Sequence, residues 1–276
     1  STGFVIYAIL TEQSIGRLFL AGVLPGILLL MAFLLVIAIL CWIKPELGPR
    51  GPITSWSEKA HAMLGAIPII SVVLVTIGGI YGGFFSPVEA AGVGAGLVIL
   101  YGMITRQLTL AAIREAGRDS VVTTATVMLI LISAHLINPF LALSHIPTVV
   151  GEALAALHLG VYGTLAVILL IYMVLGCFLE GFAMLVLTLP IFFPVVLALG
   201  IDPIWFGVLV VLTLEMGLIS PPVGLNVFIV KSVAPAVPLG RIFVGVLPFW
   251  LAMLATLILL VAFPQISLML PNTMIR

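Results

Sequence analysis

Gly217-Leu218-Ile219-Ser220-Pro221-Pro222-Val223-Gly224 interrupts an apolar stretch that begins at Trp205. The run starts about 12 residues into that stretch, close to a bilayer midplane at 1.5 Å per residue. A helix cannot continue through it. Pro221 and Pro222 lack N–H donors and clash with the preceding turn, while Gly217 and Gly224 permit unusual backbone angles. Unsatisfied backbone in hydrocarbon is costly, so a break at this depth is tolerated only where it is enclosed in protein, hydrated or bound to a ligand. A break also aims two half-helix ends at one place. The first end offers carbonyl oxygens suited to Na⁺, and the second offers partial positive charge suited to a carboxylate. Ser220 and Asn226 can add side-chain ligands. A plain proline kink without a ligand is the alternative.

The surrounding chain explains why membrane depth is the relevant setting. Of 276 residues, 63% are hydrophobic and 7% charged, with a mean hydropathy of +1.41. That composition excludes an ordinary soluble domain. Apolar runs of about 20 residues without period-2 alternation predict membrane helices rather than a barrel. The spans read as 18–43, 61–85, 88–105, 121–143, 161–179, 184–199, 205–234 with its interruption, and 242–263. Residues 147–159 are too short to cross and read as an interfacial arm helix. Lys44, Arg50 and Lys59 mark one basic loop and Arg106, Arg114 and Arg118 another, separated by two spans, so that both can face the cytoplasm as the positive-inside rule asks. Formal net charge is +0, and nucleic acid is excluded as a partner. The two cysteines, Cys41 and Cys177, read as small packed hydrophobes. No metalloprotease histidine pair, nucleophile elbow or phosphate loop is present, so no enzyme is expected.

An internal repeat adds topology. Gly16-Arg17-Leu18-Phe19-Leu20-Ala21-Gly22-Val23-Leu24-Pro25 matches Gly240-Arg241-Ile242-Phe243-Val244-Gly245-Val246-Leu247-Pro248, and Ser1-Thr2-Gly3-Phe4 pairs more weakly with Pro222-Val223-Gly224-Leu225. Four simple spans, a returning hairpin and one broken helix separate the copies. That odd number of crossings turns them upside down relative to each other, a recurrent arrangement in secondary transporters.

A second candidate lies at Gly176-Cys177-Phe178-Leu179-Glu180-Gly181-Phe182-Ala183-Met184, between two arms of marginal crossing length. It reads as the tip of a re-entrant hairpin. Glu180 at such depth is functional by default, or it caps a nearby helix. Glu215, one turn before the break, reads as an anchor for the broken backbone, with titration during transport as the alternative. Glu89, after Ser86-Pro87, reads as a structural cap. His135, Asn138 and Pro139 read as a packed kink, and the glycines of 78–96 as close helix contacts.

These residues resemble the large membrane subunit of TRAP transporters, within the wider ion transporter superfamily. The resemblance covers nearly the whole chain. It is carried by Ser86-Pro87-Val88-Glu89-Ala90-Ala91, by Gly200-Ile201-Asp202-Pro203 with Phe206-Gly207, and by the run from Glu215 to Asn226. Where that family usually has Thr and Asp, this chain has Ser220 and Glu180. The resemblance implies an all-α polytopic membrane protein, an inverted-repeat elevator with a re-entrant hairpin and a broken transmembrane helix. It implies that residues 1–17 end the first repeat's broken helix, that 18–120 are scaffold and connecting helices, and that 121–276 form the second repeat. Within that repeat lie an arm helix 147–159, a hairpin 161–199, a broken helix 205–234 and a last span 242–263. The implied substrate ligands are Ser1, Thr2, Gly3, Ser220, Pro222, Val223, Gly224 and Asn226. The implied Na⁺ ligands are Gly176, Glu180, Gly181, Ala183, Gly217, Ser220 and Gly224, with Na⁺ as coupling ion and no other cofactor. The implied partners are a periplasmic substrate-binding protein and a small membrane subunit of about four helices, in a bacterial inner membrane. The cargo would be an organic acid such as a C4-dicarboxylate or sialic acid. On this reading the chain is a fragment that lacks half of the substrate site.

Three rivals remain at the level of sequence. Glu89-Ala90-Ala91-Gly92 is similar to the coupling loop of importer permeases driven by a separate ATPase, although an apolar span follows it here. A related carrier that needs no binding protein is the second rival. A purely structural subunit is the third and predicts no ion dependence.

Overall fold

A helix closes its hydrogen bonds within one segment, so apolar runs of crossing length fold as helices. The computed structural model describes residues 2–49, 51 and 54–273, with only the backbone described at 61, 134, 135, 138, 141 and 142. Apart from one 3₁₀ turn at Pro45–Leu47, every regular element among them is an α-helix. The helices are α1 (Thr2–Thr11), α2 (Ile15–Ile43), α3 (Trp56–Tyr81), α4 (Pro87–Ile104), α5 (Leu110–Leu143), α6 (Ile146–Ala156), α7 (Gly160–Gly176), α8 (Gly181–Ala198), α9 (Pro203–Leu218), α10 (Leu225–Val233), α11 (Leu239–Ala262) and α12 (Gln265–Thr273). Among the described residues, α2, α3, α4, α5, α8 and α11 are long and apolar enough to cross a membrane. On α2, Ile27, Leu30, Met31, Leu34 and Leu35 follow helical spacing and are all exposed. An outward apolar stripe of this kind suits hydrocarbon and not water.

The chain forms two compact units. One comprises residues 39–126 with the last four residues of the chain, and the other residues 1–38 with 127–272. In the former, α3 and α4 pack together. Both start on the same device. The Ser55 hydroxyl accepts from the Glu58 N–H while Glu58 accepts from the Ser55 N–H, and Ser86 with Glu89 repeats this at α4. Glu89 is thus a structural cap. The basic segment around Arg114 and Arg118, expected as a loop, is instead the first part of α5. Leu110-Ala111-Ala112-Ile113-Arg114-Glu115-Ala116 consists mostly of strong helix formers, and the Thr109 hydroxyl accepts from the Ala112 N–H to start the helix. Both arginines stay exposed there. α5 also continues through Pro139. The nine-residue α12, not anticipated from the sequence, follows Pro264.

The larger unit is built around α9. Asp202 caps it by accepting from the Ile204 and Trp205 N–H groups at 2.8 and 3.1 Å, and Pro203 takes the first helical position. Gly200, with φ 72°, ends α8 just before. α9 is apolar apart from Thr213 and Glu215 and is buried along nearly its whole length, packed by α1, α7, α8 and α11. The Trp205 indole donates to the Leu260 carbonyl of α11 at 2.9 Å, and the Tyr7 hydroxyl of α1 donates to the Pro203 carbonyl at 2.7 Å. Tyr7 packs edge-on or tilted against Phe193 and Phe206, and Tyr172 of α7 against Phe192 and Phe206. Gly207 makes room for α1 and α2, because a Cβ there would lie 2.7 Å from the Tyr7 ring and 2.8 Å from Leu18. At the corner after α10, the Lys231 ammonium donates to the Pro235 and Val237 carbonyls at 2.7 and 2.8 Å, which holds the turn into α11.

Two stability outcomes follow from this packing. Gly207→Ala is expected to lower stability by about 1–3 kcal/mol through overpacking. Gly26→Ala, where a Cβ meets nothing within 4 Å, is expected to leave stability unchanged or raised. Equal unfolding midpoints for the two variants in detergent would contradict the packing assigned to α9. Lys231→Met removes two charge-assisted hydrogen bonds and should cost about 1–3 kcal/mol, with faster proteolysis at 234–238. Unchanged cleavage there would show that the corner is held by other contacts.

Candidate functional site at the helix break

α9 stops at Leu218 and α10 starts at Leu225. The Pro221-Pro222 peptide is cis, and Gly224 adopts φ 62° at the start of α10. A Cβ at Gly224 would lie 3.1 Å from the Ser220 carbonyl oxygen and 3.2 Å from the Phe243 ring, so glycine is required by both conformation and space. The Val227 and Phe228 N–H groups bond to the Gly224 carbonyl, and no side chain caps α10. The earlier N–H groups of a helix have no acceptor within it. They leave donors at the break.

Ser220 is buried, 4% exposed. Its hydroxyl donates to the Met216 carbonyl and accepts from the Trp250 indole N–H, both at 2.7 Å. The Ser220 N–H bonds to the Gly217 carbonyl, and the Ile219 N–H to that of Met216. The last turn of α9 is thereby closed on itself; the Met216 carbonyl accepts twice, and the Gly217 carbonyl keeps a second lone pair for a cation.

The turn between α7 and α8 reaches the same place. Gly176 and Gly217 touch backbone to backbone: a Cβ on Gly217 would lie 2.6 Å from the Gly176 Cα and carbonyl carbon. Gly181 faces Leu214 at 3.5 Å in the same sense. The Glu180 Oε2 caps α8, accepting from the Phe182 and Ala183 N–H groups at 2.9 and 3.2 Å. The capping alternative for Glu180 is therefore the one observed, and the Ala183 N–H is bound to it.

Other expected site residues are more dispersed. Pro222 and Asn226 are exposed and Val223 is half-buried. Thr2 and Gly3 open α1, while Ser1 lies outside the described residues. The following residue, Phe4, shares a groove of about 150 Å³ with Gly22, Gly26, Val211 and Glu215. Glu215 was expected to anchor the broken backbone. It makes no hydrogen bond or ion pair among the described residues, because position 215 falls on the α9 face of 208, 211 and 212, turned toward α1 and α2. Among the described residues no three acidic, histidine or cysteine side chains converge, so a cation here would rest on carbonyl and hydroxyl oxygens.

Sequence reasoning missed the contribution of α11. A cavity of about 420 Å³ beside the break is lined by Cys177, Ser220 and Pro221 on one side and by Phe243, Leu247 and Trp250 on the other. Cys177 is half-buried and donates to the Met173 carbonyl. The available signal was the spacing of 243, 246, 247 and 250, which marks one helix face.

Comparison with known proteins follows the same lines. The family described as "Tripartite ATP-independent periplasmic transporter, DctM component" matches residues 1–266. The chain is 36% identical over 273 residues to the C4-dicarboxylate TRAP transporter large permease protein DctM of Pseudomonas aeruginosa, covering 97% of this chain and 62% of that protein. It is 32% identical to the sialic acid TRAP transporter large permease protein SiaM of Vibrio cholerae, covering 99% of this chain and 63% of that protein. It is 30% identical to the ectoine/5-hydroxyectoine TRAP transporter large permease protein UehC of Ruegeria pomeroyi, covering 98% and 63%. The chain thus spans under two thirds of the length of these relatives, which are named as transporter permeases and not as enzymes. The ATP-driven importer reading of Glu89-Ala90-Ala91-Gly92 is set aside, since the matching family is ATP-independent and Glu89 serves a capping box. With six helices of crossing length among the described residues, the chain is a multi-pass membrane protein. It belongs to the family of the DctM component, the large permease of tripartite ATP-independent periplasmic transporters.

Proposed function

We propose that this chain carries the second inverted repeat, together with the end of the first, of a Na⁺-coupled permease that imports an organic acid by an elevator movement. The observation that carries the reading is the break between α9 and α10, touched by the α7–α8 turn at Gly176 and Gly217. Two features support the repeat. α1 followed by α2 and α10 followed by α11 are each a short helix and a long one with an interior proline, Pro25 or Pro248. These pairs contain the matching segments 16–25 and 240–248. In domain terms, 1–17 close the first repeat's broken helix, 18–120 connect, and 121–276 form the second repeat.

α7 and α8, 17 and 18 residues long and joined by a turn that touches the break, are read as a re-entrant hairpin. They reach about 26 and 27 Å, just under the roughly 30 Å of hydrocarbon. At the break, ligand chemistry divides by hydrogen count. A carboxylate needs donors, which the first turn of α10 and the Asn226 amide supply, with the start of α1 contributing from the first repeat. A cation needs lone pairs. Ser220 gives its only hydroxyl hydrogen to Met216, so it serves Na⁺ and not the substrate carboxylate. Carbonyls at Gly176, Gly181, Ala183, Gly217 and Gly224 and the second Glu180 oxygen complete the candidate Na⁺ set.

C4-dicarboxylates, sialic acid and ectoine carry a carboxylate and isethionate a sulfonate, so the compounds in the relatives' names share an ionised acid group, which supports an organic acid as cargo. The partners in this reading are a periplasmic substrate-binding protein and a small four-helix membrane subunit, in a bacterial inner membrane.

The test uses the full-length permease with both partners in proteoliposomes. Uptake of organic acids is expected to require an inward Na⁺ gradient, to be unaffected by internal ATP, and to fall about tenfold or more in Gly224→Ala, whose Cβ enters the break. Uptake driven by internal ATP without Na⁺ would sink the proposal.

A further inference from the structure

α11 approaches the break with one face. Phe243, Val246, Leu247 and Trp250 follow i, i+3, i+4, i+7 spacing and line the same cavity. The two ends of this face touch the break itself, Phe243 beside Gly224 and Trp250 on Ser220. The second contact has a fixed direction. An indole N–H only donates, so Ser220 must accept, and its own hydrogen is then free to go only elsewhere. It goes to the Met216 carbonyl at 2.7 Å. A serine hydroxyl has one hydrogen and two lone pairs. With one pair taken by Trp250, one remains, and the two bonds together select a single side-chain rotamer and a single hydroxyl orientation.

We propose that Trp250 is a positioning residue for the coupling ion, holding the Ser220 hydroxyl so that its one remaining lone pair is presented to the break. The inference rests on the reading of the break as a Na⁺ site. Without the indole hydrogen, Ser220 can rotate, or turn its free pair toward the cavity, and each ion bound must first restore the orientation. The rest of the ring lines the apolar cavity wall, so a phenyl group keeps an aromatic side chain there while losing the donor and part of the ring, and the Ser220→Ala background separates the two losses.

The test compares wild type, Trp250→Phe, Trp250→His, Ser220→Ala and the Trp250→Phe/Ser220→Ala pair in the full-length permease. The readouts are the Na⁺ dependence of the unfolding temperature in detergent, with K⁺ keeping ionic strength constant, and Na⁺-driven uptake. Trp250→Phe is expected to raise the half-saturating Na⁺ concentration about three- to tenfold, the equivalent of one hydrogen bond, with maximal uptake retained. Trp250→His, which keeps an aromatic N–H donor, should recover most of the loss. In the Ser220→Ala background the Trp250→Phe change should have no further effect. Half-saturation unchanged in Trp250→Phe, the same shift in both backgrounds, or no recovery in Trp250→His would overturn the positioning role while leaving the Na⁺ site intact. A wild-type protein whose stability and uptake both ignore Na⁺ would overturn the Na⁺ reading of the break and this inference with it.

Discussion

A backbone that leaves the helix inside hydrocarbon has no water to turn to, and its polar groups must be met by protein or ligand. The break between α9 and α10 imposes that demand on everything near it. Met216 and Gly217 carbonyls are met by the Ile219 and Ser220 N–H groups and the Ser220 hydroxyl. The Trp250 indole meets Ser220 from α11. The close Gly176–Gly217 contact brings the α7–α8 turn against the same segment, where any side chain would hold it away. Burial of nearly all of α9 is what the proposed depth of the break requires, since a helix that ends in hydrocarbon has to be surrounded.

The sequence carried this constraint plainly, since two prolines and two glycines inside an apolar stretch cannot be helical. The cap at Glu89 was legible for a similar reason, because Ser-x-x-Glu is a local device that needs no tertiary partner. Boundaries set by composition were less legible. Arg114 and Arg118 suggested a loop, yet charge on an exposed helix face is no obstacle to a helix whose formers are strong. Glu215 looked like an anchor because it lies one turn from the break in sequence, but helix rotation turns it to another face. Trp250 was invisible for the opposite reason. It lies 30 residues from Ser220, and only the fold brings donor to acceptor.

The two units differ in how their helices are held. In α3 and α4 the ends are satisfied within one turn, by serine and glutamate side chains of the same helix. The unit around α9 also has local caps, at Asp202 and Glu180, and adds bonds across long sequence distances: Tyr7 on Pro203, Trp205 on Leu260, Trp250 on Ser220. α1, α7 and α11 thus each supply a bond or a close contact to α9 or to the segment that follows it.

The Tyr7–Pro203 bond bridges a sequence separation of 196 residues. During synthesis, α1 leaves the ribosome long before the helices it packs against exist, and domains form from the N-terminus as the chain emerges. The α3–α4 pair can settle as soon as it is made. α1 can meet α2 early, Phe4 against Phe19, but its contacts with α8 and α9 wait until those helices are made, so the packing of the larger unit is completed late.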